Sequence, residues 1–128
     1  MPLPFVDHVG AQFTECGEGQ SVIRLEVQPI HFNSHGVVHG AALFTLADTG
    51  MGAALFSTLS PDERCSTIEV KINYFKPVVE GTVECRSHVL HRGRRVANLE
   101  CTLTVGGVLV GKASGSFAIF IPRKEGSA

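Results

Sequence analysis

Apolar and polar residues alternate along several stretches of the chain, which is the pattern of strands with one buried face. In residues 21–27, for example, apolar side chains occupy every second position from Ile23 and charged ones lie between them. We predict strands at residues 21–27, 68–74, 82–91, 95–105 and 108–121. Gly106-Gly107 suits the positive φ angles of a two-residue hairpin turn. Because the connections are short, we expect an antiparallel sheet.

One segment, residues 40–58, does not alternate. It is too long for a typical strand and is rich in Ala and Leu, so it predicts an α-helix. Its side chains are apolar on nearly every side, and such a helix has to be buried on every side. One long buried helix and a strongly curved antiparallel sheet of five or six strands predict an α+β domain in which the sheet wraps the helix.

The composition fits a single domain. Of 128 residues, 44% are hydrophobic and 18% are charged, a charged share too low for intrinsic disorder. No linker or repeat divides the chain, so we treat residues 1–128 as one domain whose polar end, residues 123–128, is expected to fray. The net charge of -1 gives no electrostatic reason to expect nucleic acid or an anionic membrane as a partner. The partners that we expect are therefore small molecules and other copies of the chain.

The charged residues are unevenly distributed, because Asp48 is the only formal charge in residues 27–61. Residues 36–56 are mostly apolar and about long enough, at ~20 residues, to span a membrane. Asp48 at the centre of such a span would cost roughly 2.5 to 3.5 kcal/mol, and several Gly and Thr residues lower the hydrophobicity further. The sequence therefore argues against a membrane span.

The N-terminus and the cysteines bear on the cellular compartment. Residues 1–5 lack the basic region and the long apolar stretch of a secretory signal. The four cysteines are irregularly spaced and form no C-x-x-C pair: Cys16, Cys65, Cys85 and Cys101. This favours reduced thiols in the cytoplasm over disulfides or a zinc site.

Three histidines of the charge-poor segment raise the question of a metal site. His31, His35 and His39 recur at every fourth residue, as metal ligands on one helix face would. Gly36 and the β-branched residues 37–38 disfavour a helix there, and no second cluster completes a ligand set. We therefore expect no metal.

Asp48 could be purely structural. Its carboxylate could be bonded by the hydroxyl of Thr45 or Thr49, with His39 a hydrogen-bonded core histidine. A carboxylate in the middle of a helix, however, cannot act as an N-cap or gain from the positive end of the helix dipole. Its burial therefore costs free energy unless it is paired or functional.

The combination of motifs supports a third, catalytic interpretation. The motifs are Asn33, Gly36, His39-Gly40, Leu46-Ala47-Asp48, Asn73-Tyr74-Phe75-Lys76-Pro77 and the segments 91–97 and 111–117. Together they resemble the hotdog-fold thioesterases, and most of all the phenylacetate-degradation thioesterase branch, close to the 4-hydroxybenzoyl-CoA thioesterase superfamily. The resemblance covers residues 21–121. One departure is Ala41, where these enzymes usually carry a second glycine.

The resemblance implies an acyl-CoA thioesterase, a hydrolase that releases a carboxylic acid and free coenzyme A (CoA) without metal or other cofactor. The residue matching Gly40 polarises the thioester carbonyl, which agrees with the unpaired N–H groups and partial positive charge of a helix N-terminus. The residue matching Asp48 acts as general base on water or as the attacking carboxylate. Asn33 and His39 match positions that shape and hydrogen-bond the reacting centre, and Thr67 matches a hydroxyl that helps hold the water.

The spacing of Gly40 and Asp48 bears on the assembly. Eight residues of helix separate them by roughly 12 Å along the axis. They cannot both lie within hydrogen-bonding reach, ~3 Å, of one thioester carbonyl. The site must then combine Gly40 of one subunit with Asp48 of another, so we expect a homodimer with two equivalent sites. The resemblance implies the same arrangement and a tetramer built as a dimer of dimers.

The turn Arg92-Gly93-Arg94-Arg95 is the densest cationic spot in the chain. A solvated hairpin would explain it. The resemblance instead implies contact with the CoA phosphates, for which guanidinium groups are well suited.

Two other functions stay open within the same fold. An acyl-thioester dehydratase would also use a histidine and an acidic residue, although Asp48 lies inside the helix after His39-Gly40, which is the thioesterase pattern. A non-catalytic acyl-CoA-binding protein would not need Asp48. The sequence does not identify the acyl group, since several residues could line an aryl or a fatty-acyl pocket: Phe44, Met51, Phe56, Tyr74 and Phe75.

Overall fold

Two helices, six strands and one 3-10 turn make up residues 2–123, the part of the chain that the computed structural model describes. The helices are α1 (Pro4–Val9) and α2 (Gly40–Phe56), and the 3-10 turn is Pro29–His31. The strands are β1 (Ala11–Gly17), β2 (Gln20–Glu26), β3 (Arg64–Tyr74), β4 (Thr82–Arg92), β5 (Val96–Val105) and β6 (Val108–Phe120). Of the tail predicted to fray, residues 124–128 lie outside the described part.

The six strands form one curved antiparallel sheet in the order β1-β2-β4-β5-β6-β3. Helix α2 contacts every strand of this sheet, so the sheet wraps the helix. The predicted α+β architecture is therefore confirmed.

The core lies between α2 and the concave face of the sheet. Leu46, Met51 and Leu55 of α2 have no exposed surface, and neither have Ile23 and Leu25 of β2. Burying a large apolar side chain contributes roughly 1.5 to 3 kcal/mol, so the alternating positions of the strands supply the main driving force for this arrangement.

The five predicted strands all form, with ends shifted by a few residues. The sixth strand, β1, carries only a weak alternation, because a bulge between Phe13 and Glu15 interrupts its pairing with β2. Helix α1 has only six residues, too few to show a helical period. The predicted hairpin turn is confirmed, with φ angles of 56° at Gly106 and 80° at Gly107.

Helix α2 ends at Phe56, two residues before the predicted end at 58. The Ser57 hydroxyl donates a hydrogen bond to the Ala54 carbonyl and accepts one from the Gly19 N–H. The bond to Ala54 satisfies one of the carbonyl groups that the last turn of a helix leaves without a backbone partner.

One face of α2 is not covered by its own chain. Phe44 is 37% exposed and Phe56 is 53% exposed, whereas the opposite face is buried in the sheet. The expectation that the helix is buried on every side is therefore wrong for a single chain. The reason is geometric: one sheet of this size curves around the helix without closing over it.

Strand β3 forms one edge of the sheet. It pairs with β6 on one side, and its other side has no partner strand in residues 2–123. Ile68 and Tyr74 on this strand are 57% and 48% exposed. The unpaired backbone N–H and C=O groups of an edge strand are a template for pairing with another strand.

Two further sequence expectations concern membranes and cysteines. In the described part of the chain, no helix is long and apolar enough to cross a membrane. All four cysteines carry free thiols, two of them buried.

Candidate active site

The N-terminus of α2 presents one free backbone N–H. His39 is the N-cap, and its ring Nδ1 accepts a hydrogen bond of 2.9 Å from the Ala41 N–H. The His39 carbonyl accepts one of 3.0 Å from the Ala42 N–H. The Gly40 N–H has no acceptor among residues 2–123. The Gly40 N–H at the helix start is therefore available to donate a hydrogen bond to an oxygen atom of a ligand.

The N-cap bond also fixes the tautomer of His39. A neutral imidazole that accepts at Nδ1 carries its proton on Nε2. The His39 residue is exposed, so this second donor is accessible.

Tyr74, at the end of β3, lies against this helix start. Its hydroxyl donates a 2.9 Å hydrogen bond to the Gly40 carbonyl. A Cβ atom on Gly40 would stand 3.0 Å from the tyrosine ring. Only glycine therefore fits without displacing Tyr74.

Asp48 lies two turns further along α2 and is half-buried. Its Oδ1 accepts a 2.7 Å hydrogen bond from the Thr67 hydroxyl on β3. The sequence suggested the hydroxyls of Thr45 and Thr49 as partners of Asp48, and neither bonds to it. Thr45 donates instead to the Ala41 carbonyl of its own helix. The partner is Thr67, the hydroxyl that the resemblance implied would help hold the water.

An apolar pocket of about 350 Å³ opens beside the Asp48 carboxylate. Asp48 and Thr67 are at its polar end, and Phe13, Phe56 and Phe117 line its apolar part. A pocket of this size and lining suits an apolar group of a small-molecule ligand.

Gly40 and Asp48 lie on one straight helix, as expected, and are separated by roughly 12 Å along its axis. A groove of about 510 Å³ runs along α2 on this side, from Tyr74 past Phe44 to Asp48. A single chain therefore does not bring the two groups to one reacting atom.

Asn33 lies in the loop before α2, and its side chain organises that loop. Its Oδ1 accepts hydrogen bonds from the His35 N–H at 2.8 Å and the Val37 N–H at 3.4 Å. The amide nitrogen of Asn33 has no protein partner in the described residues. No contact joins Asn33 to Asp48 within one chain.

The cationic turn between β4 and β5 lies at the same end of the sheet as Thr67. Val96 pairs with Ala118, and Ala118 pairs with Ser66, next to Thr67. Two strand spacings, roughly 10 Å, therefore separate the turn from β3.

The residues of the turn differ in their contacts. Arg92 forms a 2.6 Å ion pair with Glu63, and the Ser60 N–H and the Arg92 guanidinium hold the pKa of Glu63 below its ordinary value. Gly93 leaves no room for a side chain, because a Cβ would stand 2.6 Å from the Val96 carbonyl oxygen. Arg94 and Arg95 are exposed, and their guanidinium groups have no partner in residues 2–123.

The histidines do not form a metal centre in the described part of the chain, where no three metal-binding side chains cluster. His31 is buried, and both ring nitrogens contact backbone groups: Nδ1 accepts from the Gln28 N–H, and Nε2 donates to the Val9 carbonyl. Its ring therefore anchors α1, and it has no nitrogen left for a ligand.

The family is established by comparison with known proteins. Residues 35–112, more than half of the chain, match the thioesterase superfamily. The chain belongs to this superfamily, and its fold is that of the hotdog thioesterases. It is a thioester hydrolase.

Three similar proteins illustrate the relationship. The structure of the conserved protein PA5202 of Pseudomonas aeruginosa is 38% identical, with a TM-score of 0.90 over 94% of this chain and 96% of that one. A mutant of the phenylacetic acid degradation protein PaaI of Thermus thermophilus is 26% identical, with a TM-score of 0.84 over 91% and 98%. The 1,4-dihydroxy-2-naphthoyl-CoA hydrolase of Listeria monocytogenes is 23% identical over 96 residues, 75% of this chain and 78% of the relative.

Proposed function

We propose that the protein is an acyl-CoA thioesterase that hydrolyses an acyl- or aryl-CoA to a carboxylic acid and free CoA. One observation carries the proposal: a carboxylate held by a hydroxyl, Asp48 with Thr67, opens onto an apolar pocket. The free Gly40 N–H supplies the complementary group for a carbonyl oxygen. The Listeria relative, named as a CoA-thioester hydrolase, supports CoA as the thiol.

The reaction needs a base and an oxyanion site. Asp48 accepts a proton from water as the water oxygen attacks the thioester carbonyl carbon, and Thr67 orients the carboxylate. The carbonyl oxygen, now negative, is held by the Gly40 N–H, with the Nε2–H of His39 as a second donor. When the C–S bond breaks, the CoA thiolate takes the proton from Asp48. Direct attack by the Asp48 carboxylate, followed by hydrolysis of the anhydride, is the second route.

We assign the two halves of each site to two subunits of a homodimer. Three observations support this assignment: the separation of Gly40 and Asp48 along α2, the exposed face of α2 and the unpaired edge of β3. The two surfaces lie side by side, so a second copy can cover both at once.

The position of the two-fold axis follows from the contacts within one chain. Gly40 lies beside Tyr74 and Asp48 lies beside Thr67, so α2 and β3 run in opposite directions past each other. An axis that brings Gly40 of one chain to Asp48 of the other passes midway between these pairs. On α2 the midpoint is Phe44, and on β3 it falls between residues 70 and 71. The two β3 edges would then pair antiparallel across the axis.

The CoA phosphates would contact the exposed side chains of Arg94 and Arg95. Arg92, held by Glu63, and Gly93, packed against Val96, keep the turn in shape. Association of two dimers into a tetramer and a cytoplasmic location complete the proposal. We propose no cofactor beyond the CoA ester itself.

The main test follows thiol release from acetyl-, hexanoyl-, dodecanoyl-, benzoyl- and phenylacetyl-CoA with the wild type and Asp48→Asn. We expect turnover of at least one ester and a loss of roughly 10²- to 10⁴-fold in kcat for Asp48→Asn. Binding of the esters without turnover by the wild type would favour the non-catalytic acyl-CoA-binding function. Hydration of a 2-enoyl-CoA would favour the dehydratase. Full activity of Asp48→Asn would contradict the proposed role of Asp48, while the proposed thioesterase activity would stand.

A further inference from the structure

Helix α2 begins at a glycine, whose backbone is the most mobile of any residue, and yet its N–H has to keep one direction. The peptide unit that joins Gly40 to Ala41 is held at both ends. Its N–H donates to His39 Nδ1 at 2.9 Å, and its carbonyl accepts from the Tyr74 hydroxyl at 2.9 Å. Holding this unit limits rotation about the Gly40 Cα atom, and so limits the direction of the Gly40 N–H.

We propose that Tyr74 is a positioning residue that aims the Gly40 N–H at the thioester carbonyl oxygen. This inference rests on the proposed role of Gly40 and adds a residue to that site. The Tyr74 hydroxyl does not touch the substrate; it acts through the Gly40 carbonyl.

Two further observations support this role. The Tyr74 ring fills the space where a side chain on residue 40 would stand, at 3.0 Å, so ring and hydroxyl together fix the same peptide. A tyrosine hydroxyl is protonated at neutral pH, and partial burial raises the pKa of Tyr74 further, so the hydroxyl is a donor to the Gly40 carbonyl at neutral pH.

The location of Tyr74 matters for the composite site. As the last residue of β3, it ties the helix start to the edge strand that is expected to meet the second subunit. The same strand holds Thr67, which bonds Asp48. A single strand thus positions the oxyanion donor of one site and the base of the other.

The test compares Tyr74→Phe with Ser21→Ala. Tyr74→Phe keeps the ring and removes only the hydroxyl. Ser21→Ala removes a comparable bond, 2.6 Å from the Ser21 hydroxyl to the Gly50 carbonyl, which anchors α2 far from its N-terminus. We expect Tyr74→Phe to lower kcat roughly 10- to 100-fold with a change in KM below about threefold, because the lost interaction matters most in the transition state. Ser21→Ala should lower the thermal midpoint and leave kcat within about twofold.

A second readout reports carbonyl polarisation directly. The best ester of the panel above is labelled with ¹³C at its carbonyl and bound to Asp48→Asn, where turnover is slow. We expect the infrared carbonyl band to shift to lower frequency on binding, and the shift to shrink by half or more in Asp48→Asn/Tyr74→Phe.

The outcomes separate this inference from the proposed function. Normal kcat in Tyr74→Phe, or an unchanged carbonyl shift in the double variant, overturns the role of Tyr74 alone. A loss of kcat with an equal loss in Ser21→Ala also overturns it, since any loosening of α2 would then suffice. Absence of thioester hydrolysis by the wild type, or of any carbonyl shift with Tyr74 intact, overturns the proposed function instead.

Discussion

Asp48 is the only formal charge in residues 27–61, and the structure gives it one side-chain hydrogen bond, from Thr67. The sequence pointed to Asp48 because a carboxylate in an apolar helix needs a partner or a function. It could not identify the partner from spacing alone, because residues 48 and 67 meet only through the packing of α2 on β3. The resemblance gave Thr67 only as a hydroxyl that helps hold the water, and the structure adds its bond to Asp48.

Removing the Thr67 hydroxyl should weaken the base without unfolding the protein. Thr67→Val keeps the shape of the side chain and loses one hydrogen bond to a charged group, worth roughly 1.5 to 3 kcal/mol. We expect kcat to fall roughly tenfold to a hundredfold, as measured by thiol release. Thr102→Val makes the same change on β5, away from the site, and should leave kcat unchanged. Equal effects of the two substitutions would contradict the role of Thr67.

Arg94 and Arg95 should affect only the CoA part of the substrate. Arg94→Ala/Arg95→Ala is expected to raise KM for an acyl-CoA roughly tenfold and to leave KM for the acyl-pantetheine ester, which lacks the nucleotide phosphates, nearly unchanged. Arg86→Ala, which changes an arginine paired with Glu84, serves as the control. An equal rise in KM for both esters would contradict a contact with the CoA phosphates and would show that the two substitutions disturb the fold.

At the level of elements, alternation predicted five strands well, and its absence from a long segment rich in Ala and Leu predicted helix α2 nearly to its end. Strand β1 was missed because its bulge breaks the alternation, and α1 because it is only six residues long. The order of the strands in the sheet could not be predicted from the sequence. β3 and β4 are consecutive in the chain, yet β3 pairs with β6 and β4 pairs with β2 and β5, an order that no local pattern in the sequence encodes.

Two glycines within α2 should respond oppositely to alanine. A Cβ on Gly50 would stand 2.8 Å from the Ser87 hydroxyl and 3.3 Å from Ile23, so Gly50→Ala has to displace buried groups. On Gly52 the nearest atom is 3.7 Å away, an ordinary contact. We expect Gly50→Ala to lower the free energy of unfolding by roughly 1 to 3 kcal/mol, and Gly52→Ala to raise it by up to about 1 kcal/mol. Denaturant unfolding measures both, and the same sign for the two would contradict this packing.

For the whole molecule, the uncovered face of α2 is the main departure from the sequence prediction. The low charge of residues 27–61 reflects burial against the sheet on one side and, in our proposal, against a second subunit on the other. The separation of Gly40 and Asp48 along α2 supports that second contribution.

Phe44 tests the position of the two-fold axis. Phe44→Glu would place two like charges at the axis of the dimer, so we expect a folded monomer without thioesterase activity. Analytical ultracentrifugation and circular dichroism measure the two properties. Phe120→Glu changes an equally exposed phenylalanine on β6 and should keep the dimer. A stable, active dimer of Phe44→Glu would place the interface elsewhere.

Complementation between inactive variants tests the composite site most directly. Asp48→Asn and Gly40→Ala protomers are mixed, unfolded, refolded together and assayed for thiol release. A site made from Gly40 of one chain and Asp48 of the other predicts one intact site in each mixed dimer, and so about a quarter of the wild-type activity in an equal mixture. Asp48→Asn mixed with Thr67→Val, two changes in the same half-site, should give no such recovery. Activity that stays at the level of the separate variants in the first mixture would contradict the shared site.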